Sequence, residues 1–306
     1  MLFSAFFLPA LSAAAGVSAT VLPRGPVRLA IEPSCGVLGG QLGNANSGLG
    51  PLSSYKTIVS LGDAYSDAGV HDGSSPQPPT LSPPSPFAGG RPSNGKVWVE
   101  YLAEKSGAAL KGYAVNGAVV DVNQWPKANL PAVNDFVHQV YSVPGQLNPD
   151  TTLYVVFFGI GDFVASNGAA PLADVANNTL YNLLVLSSSP VFAKHILVVD
   201  NYGRGQKTAE GEEYKKRLFA GLSSLNQIFK SKVGFVDLSQ LWGAVLDSCT
   251  SFGFSTAGSC LSSSTTTAGA CANPDTAFYW LPGTPSTATH QLMADYVESA
   301  LIKCAA

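Results

Sequence analysis

Short apolar runs alternate with helical patterns along most of this 306-residue chain, and this alternation constrains the fold more than any other feature. Five runs are typical of buried strands: Thr57–Leu61, Leu110–Val115, Thr152–Phe158, His195–Asp200 and Val233–Leu238. Five segments show helical patterns: Val97–Lys105, Leu130–Tyr141, Leu172–Leu186, Glu212–Phe229 and Thr287–Leu301. A repeated order of strand then helix predicts a three-layer α/β sandwich, a mostly parallel sheet of about five strands with helices on both faces.

Three segments of different composition divide the chain. Residues 1–19 carry an apolar stretch followed by the small-x-small sequence Val17-Ser18-Ala19, a pattern typical of a secretory signal peptide. Residues 20–52 are rich in Gly, Pro and Asn and predict an extended N-terminal arm. Residues 53–306 predict a single domain, in which the Pro/Ser-rich stretch 74–86 is a loop above the edge of the sheet.

Composition narrows the classes of partner. Hydrophobic residues make up 46% of the chain and charged residues 12%, with a net charge of -3, and no stretch concentrates Lys or Arg. This balance disfavours nucleic acid and an anionic membrane surface as partners. No apolar run after the N-terminus is long enough to span a bilayer. We therefore expect a secreted, extracellular protein without a membrane span.

The cysteines favour disulfides over a metal site. Beyond residue 19 the chain has five: Cys35, Cys249, Cys260, Cys271 and Cys304. There is no CxxC pair and the His residues are scattered, so we expect neither a metal nor a cofactor. Cys260 and Cys271 flank a Ser/Thr/Gly loop and form the predicted pair, while the pairing of the other three stays open. Asn177 begins an Asn-Asn-Thr sequon, the acceptor pattern for N-glycosylation.

The segment Thr57–Gly69 has the form of a catalytic motif without its nucleophile. An apolar run ends at Gly62-Asp63, where a strand would pass into a loop and where many hydrolases place a serine. The next residue is Ala64, whose methyl group cannot attack a carbonyl or be activated by a base. The carboxyl ends of parallel strands are also where such sheets bind ligands.

The motif around Ala64 belongs to a set of six segments that occur in order over nearly all of the chain after the arm: 53–69, 89–107, 113–120, 157–163, 234–242 and 280–295. With these segments the chain resembles the SGNH (GDSL-type) hydrolases, most closely the secreted fungal branch that includes carbohydrate acetylesterases. The resemblance implies a flavodoxin-like sheet with helices on both faces. It also implies a mechanism of acyl transfer through a serine, with a His base, an orienting Asp and an oxyanion hole.

The resemblance places the family's functional positions on residues that lack the chemistry. The nucleophile position is Ala64, the oxyanion Asn position is Gly161, the orienting acid is Leu281 and the general base is Thr284. The backbone N–H donor of Gly117 is retained. No catalytic residue is then intact, and the predicted ligand pocket consists of Asp63, Ala64, Tyr65, Gly117, Gly161, Asp162 and Thr284.

Neighbouring residues offer weaker alternatives for the chemistry. Ser66 is a possible displaced nucleophile but is more often a loop hydrogen-bonder, and His71 follows the motif but is more often a solvated loop histidine. His290 falls in the final predicted helix, more than a turn beyond Thr284. Tyr65 is the better candidate for an exposed aromatic side chain that stacks on sugars.

Three functions follow from these patterns. The first is a secreted pseudoenzyme that binds acylated carbohydrate or a small ester or carboxylate ligand in the altered pocket. The second is an active carboxylic-ester hydrolase of the carbohydrate acetylesterase or lipase type, with relocated residues such as Ser66 or His71. The third is an extracellular structural or interaction protein, supported by low charge and an odd number of cysteines.

Overall fold

The structure is a computed structural model that describes residues 27–128, 130 and 135–306. The predicted signal peptide, residues 1–19, lies outside the described residues. The strands are β1 Ala45–Ser47, β2 Thr57–Gly62, β3 Ala109–Gly112, β4 Thr152–Phe157, β5 His195–Asp200, β6 Lys232–Asp237, β7 Thr256–Ser259, β8 Ala277–Leu281 and β9 Thr284–Pro285. The α-helices are α1 Trp98–Ser106, α2 Phe136–Ser142, α3 Ile160–Ser166, α4 Val175–Leu186, α5 Ala209–Phe229, α6 Ser239–Asp247 and α7 Thr287–Lys303.

The central sheet has six strands in the order β1-β6-β5-β4-β2-β3. All neighbours are parallel except β1, which pairs antiparallel with β6 at the edge. The five parallel strands therefore follow the flavodoxin order 2-1-3-4-5. The strand that follows β2 in sequence, β3, lies on one side of it, whereas β4 and the later strands lie on the other side. The strand order therefore reverses between β2 and β4, and a crevice forms outside the carboxyl ends of these two parallel strands.

Two apolar layers enclose this sheet because successive strand residues point to opposite faces. On β4, Leu153 and Val155 belong to one cluster with residues of α1, α6 and α7, while Tyr154 and Val156 belong to the other with residues of α2, α4 and α5. Burial on both sides explains why these strands appear in the sequence as continuous apolar runs. The predicted three-layer α/β class is confirmed.

Element boundaries differ from the sequence prediction where the pattern is short or mixed. The run predicted to end at Val115 is a strand only as far as Gly112, although the N–H groups of Tyr113 and Val115 still donate to the Ser60 and Gly62 carbonyls of β2. Helices α3 and α6 have seven and nine residues, and the sequence prediction missed both. Residues 45–47 of the arm pair with β6, and β7, β8 and β9 form a separate small sheet.

Two disulfides are present in the described chain, one local and one between distant segments. Cys260 is bonded to Cys271 across the Ser/Thr/Gly loop, and Cys35 is bonded to Cys304 just after α7. The second bond ties the N-terminal arm to the end of the chain and was left open by the sequence. Cys249 is half-buried and unbonded. Over the described residues, none of the helices is long and apolar enough to cross a membrane.

Candidate functional site

A cavity of about 560 Å³ opens at the crevice between the carboxyl ends of β2 and β4. Its size is within the range of about 300–1,000 Å³ that is usual for small-molecule sites. The described residues that line it are Asp63, Ala64, Tyr65, Asn116, Gly117, Ala128, Leu130, Ile160, Gly161, Val164, Ala165, Arg204, Gly283 and Thr284. Four separate sequence segments that carry the family resemblance therefore border one cavity.

The turn after β2 supplies the floor of this cavity. The Asp63 Oδ1 atom accepts a hydrogen bond of 3.1 Å from the Tyr65 N–H, which fixes the turn around Ala64. The backbone N–H of Ala64 has no acceptor in the described part of the chain. Ala64 thus presents a methyl group and an unpaired amide at the edge of the cavity.

Asp63 is buried, and its electrostatics follow from that burial. Loss of water is the largest effect and raises the pKa of its carboxyl from 3.8 to about 7. The nearby Asp162 carboxyl raises this pKa further, whereas the Tyr65 N–H and the Arg204 charge lower it. The Oδ2 atom of Asp63 is buried without a hydrogen-bond partner among the described residues. Asp63 is therefore largely protonated in slightly acidic solution.

The turn after β4 brings the main chain close to a neighbouring loop. Gly159 has a φ of 118°, in the region that favours glycine, and starts α3. A Cβ at Gly161 would overlap the carbonyl oxygen of Ala118 and lie 3.1 Å from the Cγ1 of Val119. The position that the resemblance assigns to the oxyanion Asn thus has no room for a side chain in this backbone conformation.

Asp162 does not line the cavity, although the predicted pocket includes it. Its carboxylate accepts hydrogen bonds from the Trp125 Nε1–H at 2.8 Å and from the Val120 N–H at 3.2 Å. It is completely buried, and desolvation raises its pKa to about 6. Asp162 therefore connects α3 to the loop after β3 instead of facing a ligand.

The hairpin of β8 and β9 supplies the opposite rim. Thr284 lines the cavity, whereas Leu281 is buried and instead borders a smaller cavity of about 320 Å³. The two cavities share Asn116 and Thr284. The positions assigned to the base and its orienting acid therefore face adjoining spaces.

Tyr65 is not the exposed aromatic side chain that the sequence predicts. It is 1% exposed, packs edge-on against Phe157 and lies beside Trp242. Its hydroxyl donates a 2.8 Å hydrogen bond to the Gly283 carbonyl. Because the neighbouring helices already enclose it, the ring forms part of the cavity wall and is not available as an open stacking platform.

The alternative catalytic residues lie away from the cavity lining. Ser66 is buried, and its Oγ accepts a hydrogen bond from the Trp98 Nε1–H. His71 is half-exposed and paired with Asp67 at 3.1 Å. His290 is completely buried in α7, and loss of water lowers its pKa to about 3.

Three further residues were considered from the sequence: Gly117, Asn177 and Trp98. Gly117 borders the cavity with a φ of 80° and a backbone N–H that has no acceptor among the described residues. Asn177 is exposed on α4, while Thr179 of the same sequon is buried and donates to the Val175 carbonyl. Trp98 is buried in the core.

Arg204 and Asn116 are the polar lining residues that sequence reasoning missed. Arg204 lies in the loop after β5, where the sequence Asn-Tyr-Gly-Arg-Gly follows an apolar strand. Its own φ is 50°, a region that non-glycine residues seldom adopt. A glycine-flanked arginine at the carboxyl end of a strand was the available signal.

The fold and cavity define an α/β protein of flavodoxin strand order with a ligand-sized cavity at the switch point of its sheet. Residues 58–297 match the model of the GDSL-like lipase/acylhydrolase family. The chain therefore belongs to this family, and the resemblance seen in the sequence is confirmed.

Two curated relatives are similar over shorter segments. The thermolabile hemolysin of Vibrio parahaemolyticus is 32% identical over 118 residues, which cover 37% of this chain and 27% of that protein. The acetylesterase of Hypocrea jecorina is 33% identical over 95 residues, covering 27% of this chain and 26% of that protein. The matched segments thus span about a quarter of the length of either relative.

Solved structures give a more distant likeness. A family two carbohydrate esterase from Clostridium thermocellum in complex with cellohexaose has 16% identity and a TM-score of 0.45, over 83% of this chain and 65% of that chain. The acetyl xylan esterase AlAXEase has 14% identity and a TM-score of 0.39, over 80% of this chain and 99% of that chain.

Proposed function

We propose that this protein is a secreted member of the GDSL family that binds an acyl ligand or acylated carbohydrate without hydrolysing it. One observation carries the proposal: the described residues that line the cavity include no Ser, Cys or His. Acyl transfer needs a nucleophile within hydrogen-bond reach of a base. Thr284 and Tyr65 carry hydroxyl groups, but the histidine that packs edge-on against the Tyr65 ring, His290, is buried behind it and does not line the cavity.

The surroundings of the cavity support binding. The unpaired amides of Ala64 and Gly117 are donors that a carbonyl oxygen of a ligand can use. Asn116 and Thr284 form no side-chain hydrogen bonds within the described chain, so both are free to contact a polar group. The acetylesterase similarity supports acetylated carbohydrate as the first ligand class to test. The predicted leader and the two disulfides support secretion.

Ester hydrolysis by purified protein tests the catalytic half of this proposal. With 4-nitrophenyl acetate we expect rates at the buffer background for the wild-type chain and also for Ala64→Ser, because a serine without a base stays protonated. The triple variant Ala64→Ser, Leu281→Asp, Thr284→His should hydrolyse faster than Ala64→Ser. Turnover by the wild-type protein that disappears in Ser66→Ala or His71→Ala would establish the active-hydrolase alternative instead.

Binding and processing are measured separately. Acetylated xylo-oligosaccharides should bind more tightly than the same oligosaccharides after deacetylation, as measured by calorimetry. Equal or absent binding of the two would remove the ligand half of the proposal. Protein recovered from culture medium should begin after Ala19, which intact mass spectrometry checks.

A further inference from the structure

Arg204 is the only cationic side chain among the described residues that line the cavity. Its Nη1 donates a 3.3 Å hydrogen bond to the Gly283 carbonyl, the same oxygen that accepts from the Tyr65 hydroxyl. Gly283 has a φ of 72°, in the region that favours glycine, and a Cβ there would overlap the Arg204 guanidinium at its present position. The guanidinium is therefore held at a defined place on the rim between the β5 loop and the β8–β9 hairpin.

Arg204 forms no ion pair with a carboxylate in the described part of the chain, where no Asp or Glu oxygen lies within 4.0 Å of its nitrogens. The acidic residue in the cavity lining is Asp63, which is buried and bonded to the Tyr65 N–H. A guanidinium has five N–H donors in a planar fork that matches a carboxylate. Arg204 thus has donors to spare for an anionic ligand.

An apolar wall faces the same space. Ile160 and Val164 lie one turn apart on α3 and line the cavity together with Leu130. Val164 is 61% exposed, so its side chain is open to contact by a ligand. A ligand that combines a short hydrocarbon chain with a negative charge would cover this wall and pair with Arg204.

We infer that the cavity binds short-chain aliphatic carboxylates, with the carboxylate on the Arg204 guanidinium and the chain against Ile160 and Val164. This inference rests on the proposed function, because it names a ligand class for the same cavity. It goes beyond that proposal, since an acetylated sugar is neutral and needs no cation. Charge-assisted bidentate contacts are about twice as strong as neutral hydrogen bonds, so the ligand's charge should dominate selectivity.

Calorimetry with hexanoate and its neutral isostere hexanamide tests the inference. At about pH 6 a free aliphatic carboxylic acid is ionised, whereas the Asp63 carboxyl, with its pKa raised to about 7, is mostly neutral and does not repel the anion. We expect wild-type protein to bind hexanoate at least about tenfold more tightly than hexanamide. Arg204→Gln should remove that preference, because hexanoate loses a charge-assisted contact whereas hexanamide loses only a hydrogen bond to a neutral acceptor.

Lys207→Gln is the matched control, because Lys207 is an exposed cation in the same loop and does not line the cavity. It should bind hexanoate like the wild-type protein. Equal affinity of wild-type protein for hexanoate and hexanamide would overturn the inference, as would an Arg204→Gln variant that keeps the preference. This first comparison needs no variant, so it stands even if Arg204→Gln fails to fold.

The two proposals fail in different ways. Binding of acetylated xylo-oligosaccharide without binding of hexanoate would refute the carboxylate inference and leave the proposed function intact. Loss of both would refute both. Hexanoate binding without any preference for acetylated sugar would retain Arg204 as the anchor and remove carbohydrate as the ligand.

Discussion

Because α3 lies close to the loop after β3, we predict how substitutions of Gly161 change the free energy of unfolding. In a helix, replacing Gly by Ala is ordinarily favourable by about 0.5–1 kcal/mol, because alanine has less backbone entropy to lose on folding. At Gly161 the added methyl group would overlap the Ala118 carbonyl oxygen. Overpacking of this kind typically costs about 1–3 kcal/mol, since a backbone carbonyl cannot rotate away as a side chain can.

Gly243 provides a matched comparison on α6. A Cβ there would meet no atom within 4 Å, so Gly243→Ala should show the helix gain alone. Gly161→Ala should therefore be less stable than Gly243→Ala by about 1–3 kcal/mol. Gly161→Asn should behave like Gly161→Ala or worse, because its Cβ meets the same oxygen.

Urea denaturation with intact disulfides measures this difference. The midpoints should separate while the m-value stays constant, which would show that native stability and not the unfolded state has changed. If Gly161→Ala is as stable as Gly243→Ala, the loop carrying Ala118 is not held against α3. The reasoning that excludes a side chain from the oxyanion position would then be refuted.

Three further changes test the energetics around the cavity. The stability advantage of Asp63→Asn over wild type should be about 3 kcal/mol larger at pH 7 than at pH 4, because the raised pKa of Asp63 makes wild-type stability fall as pH rises through this window. Urea titrations at both pH values check it, and a pH-independent difference would contradict it. His290→Leu removes two ring nitrogens that have no partners among the described residues. Its gain in unfolding free energy over wild type should be about 2 kcal/mol larger at pH 5 than at pH 7, because wild-type stability is lost as pH falls from about 6.5 towards the lowered pKa of about 3. Equal gains at the two pH values would refute this. Replacing both Cys35 and Cys304 by Ser should cost about 2–5 kcal/mol in denaturation, whereas Cys249→Ser, which removes an unbonded thiol, should change stability little.

Much of the fold was predictable from the sequence because local patterns carry it. The strand predicted over His195–Asp200 is found with these bounds, since its residues are buried on both faces and form an uninterrupted apolar run. Long helices such as α5 and α7 are evident for a similar reason, because many turns repeat the same buried face. Helix α3 was not predictable, since its seven residues contain two turns and a glycine.

The location of the candidate site was also predictable from the sequence, whereas its full lining was not. The strand-to-loop motif at Asp63-Ala64 and the flavodoxin strand order locate the crevice, because ligands of such sheets bind at the switch point. The sequence also shows which side chains are absent there. These conclusions depend on residue identity and local order, both of which can be read along the chain.

Only the tertiary structure decided what surrounds Ala64. It buries Tyr65 against Trp242, withdraws Asp162 from the cavity to bond Trp125, and brings Arg204 from a distant loop to the rim. Contacts of this kind join residues that are far apart in sequence, and they form only when the sheet and its two helical layers are packed together. Local pattern therefore determined the scaffold and the residue identities at the motif, whereas long-range packing determined the charge and shape that a ligand would meet.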